Sequence, residues 1–269
     1  MKADPAGPAL VAERRTGWWG SSPGALATLS VAGGFVLWEL VGRFLIRNAL
    51  FLATPSETIV ALVELIRTGE LAQHLWISTL EFTFGFVIAV LAGVAIGLAM
   101  ASSGRIYAVL NPWVSALYAT PIIALAPLVI LWFGIGIWSK VVVVISLVVF
   151  PVIVNTETGI RLTDRQLIEM VRCLGARRAQ IFFKVSLPSA LPFMLAGVRL
   201  GVGRGLIGVV VGELFGARAG LGYMIAQAAE VFNMPKLFAG VIVFAAAGIG
   251  LTAAFRALER RIVPWNDTP

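Results

Sequence analysis

Six long apolar runs, separated by shorter polar segments, dominate the pattern of this chain. The runs lie at about residues 26–46, 78–100, 106–134, 139–159, 189–212 and 237–258. An α-helix needs about 20 mostly apolar residues to cross the hydrocarbon core of a membrane, so the pattern predicts an all-α integral membrane protein with six spans. The third run is too long for one straight span and contains Pro121 and Pro127. We expect it to break or kink there, and a short interfacial helix followed by a span is the alternative.

The composition supports a membrane protein and excludes several kinds of site. The 269 residues are 59% hydrophobic and 13% charged, which is about half the charged fraction of a typical soluble domain. The formal net charge is +7, but the basic residues cluster beside the apolar runs, where they act first as determinants of membrane orientation rather than as a nucleic-acid surface. With one cysteine, Cys173, and one histidine, His74, neither an internal disulfide nor a metal site is predicted.

The distribution of Lys and Arg predicts how the spans are oriented. Basic residues are most frequent before the first run, between the fourth and fifth runs (161–188) and after the last run. Cytoplasmic segments carry the excess of Lys and Arg, so we expect both termini in the cytoplasm. Residues 1–25 are predicted to form a flexible cytoplasmic leader, and residues 26–265 the transmembrane domain. A cleavable signal peptide is not predicted, because the run from Ala25 is long enough to span and no small-x-small cleavage site follows it.

The outer segment between the first two runs carries an amphipathic pattern. Its apolar residues at i, i+3, i+4 and i+7 are Ile59, Leu62, Val63 and Ile66. This spacing predicts a helix over 57–68, which Pro55-Ser56 opens and Gly69 closes. A helix lying on the membrane surface is the expected arrangement, and direct docking of a partner is the alternative.

The cytoplasmic segment between the fourth and fifth runs has a helical pattern of its own. Thr163-Asp164-Arg165-Gln166 fits a capping box with Thr163 as the N-cap residue, and Gly175 suits the left-handed residue that ends a helix. Residues 177–185 can form a second short helix, which Leu187-Pro188 is expected to end. From periodicity alone, an interfacial hairpin and a rigid projection for a cytoplasmic partner fit this segment equally well.

Spacing in this segment matches a known motif. Glu169, Gly175, Val185, Leu187 and Pro188 fit the pattern E-A-A-x3-G-x9-I-x-L-P (the EAA motif), with Met170-Val171 in place of the two alanines and Val185 in place of Ile. The segment resembles the coupling loop of ATP-binding-cassette (ABC) importer permeases, which docks into a groove on the ATPase subunit. The resemblance implies an ATPase-coupling role for Glu169, Met170, Val171, Arg172, Gly175, Ala176, Val185, Leu187 and Pro188.

Phrases along nearly the whole chain resemble the permeases of nitrate, sulfonate, taurine and bicarbonate importers. They include PIIALAPLVILWFGIG at 121–136, FPVIVNTETGI at 150–160, GVRLGVGRG at 197–205 and LERR at 258–261. The resemblance implies a six-span type I (MetI-like) permease with a cytoplasmic coupling-helix loop, in the inner membrane of a bacterium. It also implies a second permease subunit, expected to be identical, two cytoplasmic ABC ATPases that carry ATP and Mg, and an extracytoplasmic substrate-binding protein.

The chain itself is not expected to hydrolyse ATP. It contains no G-x-x-x-x-G-K-[ST] phosphate-binding loop, so it is predicted to be a non-catalytic permease with no cofactor of its own. The expected solute is a small anion such as a sulfonate, nitrate or bicarbonate, and import of a vitamin or its precursor is the alternative within the family. An ion-coupled secondary transporter would predict an inverted repeat with midplane acids, and no convincing repeat is present. A membrane-embedded enzyme would need a cluster of His, Asp or Cys, which the composition does not supply.

Two arginines, Arg199 and Arg204, fall inside the fifth run. Each needs a partner or water, because an arginine at the centre of a span costs about 2.5–3.5 kcal/mol on insertion scales. The acids at comparable depth are Glu39, Glu81 and Glu213, and Arg204 is expected to pair with one of them. The alternative is that one arginine lines the translocation path and attracts an anion, a role for which Arg199 is the better candidate.

Small residues mark two further features. Gly220-Leu221-Gly222 follows the fifth run on the outer side and is interpreted as a simple loop, with a short re-entrant helix of an outer gate as the alternative. Two stripes at four-residue spacing, Gly85-Ala89-Gly93-Gly97 and Gly197-Gly201-Gly205, permit close helix packing. The sequence alone does not identify the helix that each stripe contacts.

Overall fold

The computed structural model describes residues 23–46, 48 and 50–264, so nearly all of the predicted leader lies outside the described residues. The described residues form helices α1 (Pro23–Leu40), α2 (Pro55–Arg67), α3 (Glu70–Ser102), α4 (Gly104–Ala119), α5 (Ile122–Phe133), α6 (Ile137–Arg161), α7 (Arg165–Cys173), α8 (Arg178–Ile181), α9 (Leu187–Gly216), α10 (Leu221–Glu230) and α11 (Met234–Ile262). Two π-helical turns, Val41–Leu45 and Phe182–Ser186, follow α1 and α8. The predicted all-α class is confirmed.

Helices occupy all six predicted apolar runs. Five helical segments are each long and apolar enough to cross a membrane: α1 with its π-helical turn, α3, α6, α9 together with α8 and the π-helical turn before it, and α11. The third run is divided into α4 and α5, which are bent by 98° relative to each other. The bend follows from Pro121, which disfavours a helical conformation of the residue before it, and Thr120 is accordingly extended with ψ 134°. Pro127 lies inside α5 and does not end it.

Helix α6 lies in the centre of the bundle, and the two glycine stripes face it from α3 and α9. A Cβ built on Gly85 of α3 would lie 2.6 Å from Val144 Cβ, and one built on Gly197 of α9 would lie 2.6 Å from Asn155 Cβ. Only glycine permits this approach, because Cβ atoms at these distances would overlap. Both stripes therefore contact the same helix of the same chain.

The order of these contacts gives the directions of the central helices. Residues 85, 93 and 97 of α3 meet residues 144, 152 and 156 of α6, so these two helices are parallel. Residues 197, 201 and 212 of α9 meet residues 155, 148 and 140, so α9 is antiparallel to both. Below, "outer end" means the end of the bundle where α3 and α6 begin and α9 ends, and "inner end" means the end with residues 161–188, following the predicted orientation.

The predicted amphipathic helix is present as α2 at the outer end. It begins at Pro55, as predicted. Thr54 Oγ1 accepts from Glu57 N at 3.3 Å and Glu57 Oε2 accepts from Thr54 N at 2.9 Å, which forms a capping box. Gly69, with φ 76°, separates it from α3.

The predicted stripe lies mostly on the exposed side of α2, and one of its four residues, Leu62, packs against the buried cluster between α2, α10 and α11. Leu65 packs against α10 and α11 in a buried cluster, whereas Ile59, Val63 and Ile66 remain exposed. A helix between protein and membrane has two apolar sides, and Ile59, Val63 and Ile66 lie on the side turned away from the protein. This is the side that a helix on the membrane surface would turn towards lipid.

Candidate functional site

The predicted coupling segment projects from the inner end of the bundle. Helix α7 carries Glu169, Met170, Val171 and Arg172, and none of its residues is buried. Met170 is 56% exposed, and Leu174, directly after the helix, is 81% exposed. Large apolar side chains that stand free of the core are typical of a docking surface.

The N-terminus of α7 differs by one residue from the prediction. Its N-cap residue is Asp164, whose Oδ1 accepts from Gln166 N at 2.8 Å. Thr163 was predicted for this position, which is wrong. The Thr163 hydroxyl instead donates to Ile160 O at 2.8 Å, and so it belongs to the end of α6.

The C-terminus of α7 follows the prediction. Gly175 adopts φ 84°, the left-handed conformation expected of it. Ala176 N donates to Val171 O at 3.3 Å and Gly175 N donates to Arg172 O at 3.0 Å. These two bonds form a Schellman motif, which reverses the chain towards α8.

The second half of the segment continues into the span α9 without a break. Val185 is buried in the π-helical turn after α8, and Leu187 is helical with φ −66° and ψ −47°. The prediction that Leu187-Pro188 ends the helix is therefore wrong. In the π-helical turn Leu187 N bonds to Phe182 O, five residues back, and Pro188, which has no N–H to offer, falls in the first turn of α9, where proline is tolerated.

Arg199 forms an ion pair that the sequence did not suggest. Its Nη1 lies 3.2 Å from Glu259 Oε2, and the pair connects α9 to the last turn of α11. Glu259 belongs to the LERR phrase at 258–261, which carried the family resemblance but received no role. Because this acid neutralises Arg199, Arg204 becomes the better candidate for a contact with solute.

Arg204 contacts an aromatic residue instead of an acid. Its Nη2 donates to Tyr118 Oη at 3.2 Å, and its guanidinium carbon lies 4.8 Å from the centroid of the tyrosine ring. Tyr118 is in the last turn of α4, next to the bend at Thr120 and Pro121. The side chain of Arg204 is exposed on this face of the bundle.

None of the acids expected to pair with Arg204 forms an ion pair with it in the described part of the chain. Glu39 pairs with Arg43 at 2.6 Å and accepts from Ser56 N at 3.1 Å, which attaches α1 to α2. Glu213 is buried at the outer end, where it accepts from Ser78 of α3 and Gly222 of α10, and Glu81 is buried on α3. The predicted ion pair between Arg204 and one of these acids is therefore wrong.

Side chains of α3 and α9 bind three consecutive backbone N–H groups at the beginning of α10. The three bonds are Gly220 N to His74 Nδ1 at 3.0 Å, Leu221 N to Ser78 Oγ at 2.8 Å and Gly222 N to Glu213 Oε2 at 2.5 Å. Ser78 Oγ also donates to Glu213 Oε1 at 2.5 Å. We call these three side chains and the three N–H groups the outer clamp. The clamp satisfies N–H groups that a helix start leaves unpaired.

The simple-loop interpretation of Gly220-Leu221-Gly222 is wrong, because these residues begin a helix. Gly220 has φ 126°, and a Cβ built on it would overlap the carboxyl group of Glu213. Glycine is required there for both reasons. The short-helix alternative agrees with the structure, and its role as an outer gate stays a prediction.

Two further charged residues are buried beside the outer clamp. Lys140 donates to Gly136 O at 2.9 Å and to Gly216 O at 2.5 Å, which connects the beginning of α6 to the end of α9. Glu81 is 2% exposed. The sequence analysis assigned no role to Lys140, because the pattern of charges along the chain does not reveal the carbonyl groups near it.

Comparisons with known proteins identify relatives over most of the chain. Residues 85–264 match the family described as binding-protein-dependent transport system inner membrane component. The putative aliphatic sulfonates transport permease protein SsuC of Bacillus subtilis is 38% identical over 232 residues, with 86% of this chain and 84% of the relative covered. The formylaminopyrimidine transport permease protein ThiX of Halalkalibacterium halodurans is 35% identical over 236 residues, with coverage of 86% and 92%.

A solved structure has the same fold. The MetNI methionine ABC transporter in an inward-facing conformation superposes with a TM-score of 0.60 at 20% identity, covering 70% of this chain and 93% of that chain. The predicted MetI-like fold is therefore confirmed.

Proposed function

This chain belongs to the inner membrane components of binding-protein-dependent transport systems, the permease subunits of ABC importers, and from this premise we propose that it carries a small anionic solute into the cytoplasm by alternating access. One observation supports the proposal that the solute is an anion. Arg204 is a cation deep in a span whose partner is an aromatic ring and not a carboxylate.

The position of Arg204 supports contact with a solute. It lies about 18 Å from the end of α9 at 1.5 Å per residue, well inside the hydrocarbon thickness of about 30 Å. Among the described residues it has no acid within 4.0 Å. A cation at this depth requires water or an anion.

The chemistry of the site fits an anion with several oxygens. A guanidinium group has five N–H donors, of which Tyr118 takes one. The ring of Tyr118 also contributes a cation–π contact, about 0.5–2 kcal/mol, that holds the guanidinium plane in place. The free donors can bind the oxygens of a sulfonate, nitrate or carboxylate in bidentate geometry.

The adjacent bend supports the same location. Broken helices in transporters place unwound backbone at the solute site, near the middle of the membrane. Here α4 and α5 are bent by 98°, and Tyr118 lies in the last turn before the bend. Arg204 thus lies beside the one break that the described residues show within a predicted span.

The proposal includes the partners that the family implies. Two cytoplasmic ABC ATPases bind ATP and Mg, receive α7 and the following Gly175 turn, and pass their motion to α9 through α8 and the π-helical turn. A second, identical permease subunit completes the path, and a binding protein delivers the solute from outside. Both termini lie in the cytoplasm, and the complex lies in the inner membrane.

Import of a vitamin precursor is the second candidate. The formylaminopyrimidine permease ThiX is similar to this chain over 92% of its own length. Tyr118 and Phe150 have ring centroids 6.3 Å apart, so an uncharged heterocycle could stack at the same place. The two candidates differ in what they require of Arg204, because a stacked ring does not need its charge.

Reconstituted uptake distinguishes the two candidates. The complex with its ATPase and binding protein is placed in liposomes and supplied with methanesulfonate, nitrate or formylaminopyrimidine. A charge-assisted hydrogen bond contributes about 1.5–3 kcal/mol, so Arg204→Gln should reduce uptake of the anion by about tenfold or more, while assembly and basal ATPase activity persist. Arg204→Lys should retain part of the uptake, and Arg67→Gln, which changes an exposed arginine of α2, should retain all of it. Unchanged anion uptake by Arg204→Gln, or uptake of formylaminopyrimidine alone, would contradict the proposal.

A further inference from the structure

The link between α10 and α11 places a bulky residue in a backbone conformation that favours glycine. Phe232 has φ 56° and is the one non-glycine residue with a positive φ in the described part of the chain. Its N–H donates to Ala229 O at 3.1 Å, and Asn233 N donates to Ala228 O at 2.8 Å. These bonds form a Schellman motif, whose left-handed position is usually glycine because a Cβ is strained there.

The same chain uses glycine at the equivalent position of another helix. At the end of α7, Gly175 has φ 84° and makes the corresponding bond to Arg172 O. The backbone geometry therefore does not call for phenylalanine at position 232. Strained non-glycine residues cluster at functional sites, so we expect the Phe232 side chain to have a function beyond forming the turn.

That role is not in the core. Phe232 is 60% exposed and its neighbour Val231 is 67% exposed. Leu221 and Met224, in contrast, bury the apolar side of α10 against α2 and α11. Val231 and Phe232 thus form a pair of projecting apolar side chains at the outer end, which we call the outer knob.

A charged groove opens beside the outer knob. It has a volume of 620 Å³ and lies between α2 and the beginning of α11. Asn233 and Lys236 line one wall, and the acids along the groove are Glu57, Glu64 and Glu70. Lys236 Nζ is paired with Glu70 Oε1 at 2.6 Å, so the groove keeps a net negative charge. Unburied carboxylates stay in water, which places the adjoining knob at the aqueous surface.

We propose that the outer knob and this groove form the docking surface for the extracytoplasmic binding protein, with Phe232 as its apolar anchor. The proposal rests on the function proposed above, and the family description itself makes this class of permease dependent on a binding protein. Exposed aromatic anchors beside a polar rim are the usual centres of such interfaces. The complementary surface on the partner is an apolar pocket flanked by Lys or Arg, whose charge matches Glu64, which has no salt bridge to any residue that the structure describes.

The effect on docking can be measured separately from any effect on folding, because Phe232→Gly relieves backbone strain instead of adding it. Phe232→Gly suits the left-handed position and should leave the thermal unfolding midpoint of the purified complex unchanged or raise it. The same variant removes the anchor. The fluorescently labelled binding protein should therefore bind it about tenfold or more weakly, and the concentration of binding protein that half-maximally stimulates the ATPase should rise equally. Basal ATPase activity and the maximal stimulated rate should stay at wild-type values.

Three further variants complete the experiment. Phe232→Asn also accepts the left-handed conformation and should behave like Phe232→Gly. Glu64→Lys reverses a charge in the groove and should weaken docking in a way that depends on salt. Phe51→Ala removes another exposed aromatic residue, in the link between α1 and α2. This variant should bind the labelled binding protein with wild-type affinity.

The outcomes separate this inference from the proposed function. If Phe232→Gly and Phe232→Asn bind the labelled protein with wild-type affinity, the docking surface is elsewhere. That result together with a lower yield of membrane-inserted complex would make Phe232 a lipid anchor and would overturn the inference. If no binding protein stimulates the wild-type complex, the proposed function fails first and the inference with it.

Discussion

Glu213 on α9 accepts a hydrogen bond at 2.5 Å from Gly222 N, in the first turn of α10. Glu213 is 1% exposed, and burial of a carboxyl group costs free energy unless its oxygens are hydrogen-bonded. Its other oxygen accepts from the Ser78 hydroxyl of α3. One carboxylate thus joins three helices at the outer end, next to the surface that we assign to the binding protein.

Removal of this carboxylate should loosen the beginning of α10. In Glu213→Ala the N–H of Gly222 and the hydroxyl of Ser78 lose their acceptor, and each unsatisfied buried group costs about 1–3 kcal/mol. We expect a lower thermal unfolding midpoint and faster amide hydrogen exchange at residues 220–224. Glu230→Ala, at the exposed end of α10, is the control and should match the wild type. Wild-type exchange at 220–224 in Glu213→Ala would show that the clamp does not hold α10.

Close packing of α9 on α6 gives a second prediction. A Cβ on Gly201 would lie 3.0 Å from Val148 Cγ1, and overpacking of this kind costs about 1–3 kcal/mol. We expect Gly201→Ala to destabilise the subunit and Val148→Ala, added to it, to recover part of the loss. Gly34→Ala on α1, where a Cβ would meet nothing within 4 Å, should be neutral. If the effects of Gly201→Ala and Val148→Ala on the free energy of unfolding were strictly additive in a double-mutant cycle, the contact between these two residues would be contradicted.

Local features of the fold could be predicted from the sequence because their causes are local. The lengths of the apolar runs, the beginning of α2 at Pro55 and the left-handed Gly175 depend on residues that are close in the chain. The two glycine stripes were also visible as patterns. Their common partner α6 was not, because the order of helices around the bundle depends on contacts between distant segments.

The wrong predictions for Arg204 concern the side of the helix on which a residue lies and the residue that it contacts there. Depth along a span follows from 1.5 Å per residue, which placed Arg204 near Glu81 and Glu213. Rotation about the helix axis decides which neighbour a side chain meets, and it turned Arg204 towards Tyr118 of α4. The bend at Pro121 is the feature of the sequence that could have indicated this contact. Where a span breaks, the last helical turn before the break, here the turn with Tyr118, packs against a neighbouring helix. The prediction that Pro188 ends a helix was wrong because a sequence pattern with the α-helical period of 3.6 does not reveal a π-helical turn.

The turn after α7 should be essential for coupling and not for folding. Gly175 has φ 84°, and a Cβ there would meet nothing within 4 Å, so only the backbone conformation restricts the residue. Gly175→Val should disturb the turn, because β-branched residues avoid the left-handed region, and should separate ATP hydrolysis from uptake or release the ATPase. Gly175→Asn, which tolerates that region, should retain most uptake. The measurements are uptake and ATPase activity in the same liposomes. Normal uptake by Gly175→Val would contradict the coupling role of this segment.

The predicted orientation places α7 in the cytoplasm and α10 outside, and the chain offers a direct measurement of it. Cys173 is the only native thiol and is exposed, so Cys173→Ser provides a background without thiols. In that background Glu230→Cys should react with a membrane-impermeant maleimide in intact cells, and Arg165→Cys only after permeabilisation, because the Lys and Arg of residues 161–188 hold that segment inside. Both positions are exposed in the structure, so the side of the membrane, and not burial, decides the reaction. Labelling of Arg165→Cys in intact cells would reverse the orientation, and α7 could then not meet a cytoplasmic ATPase.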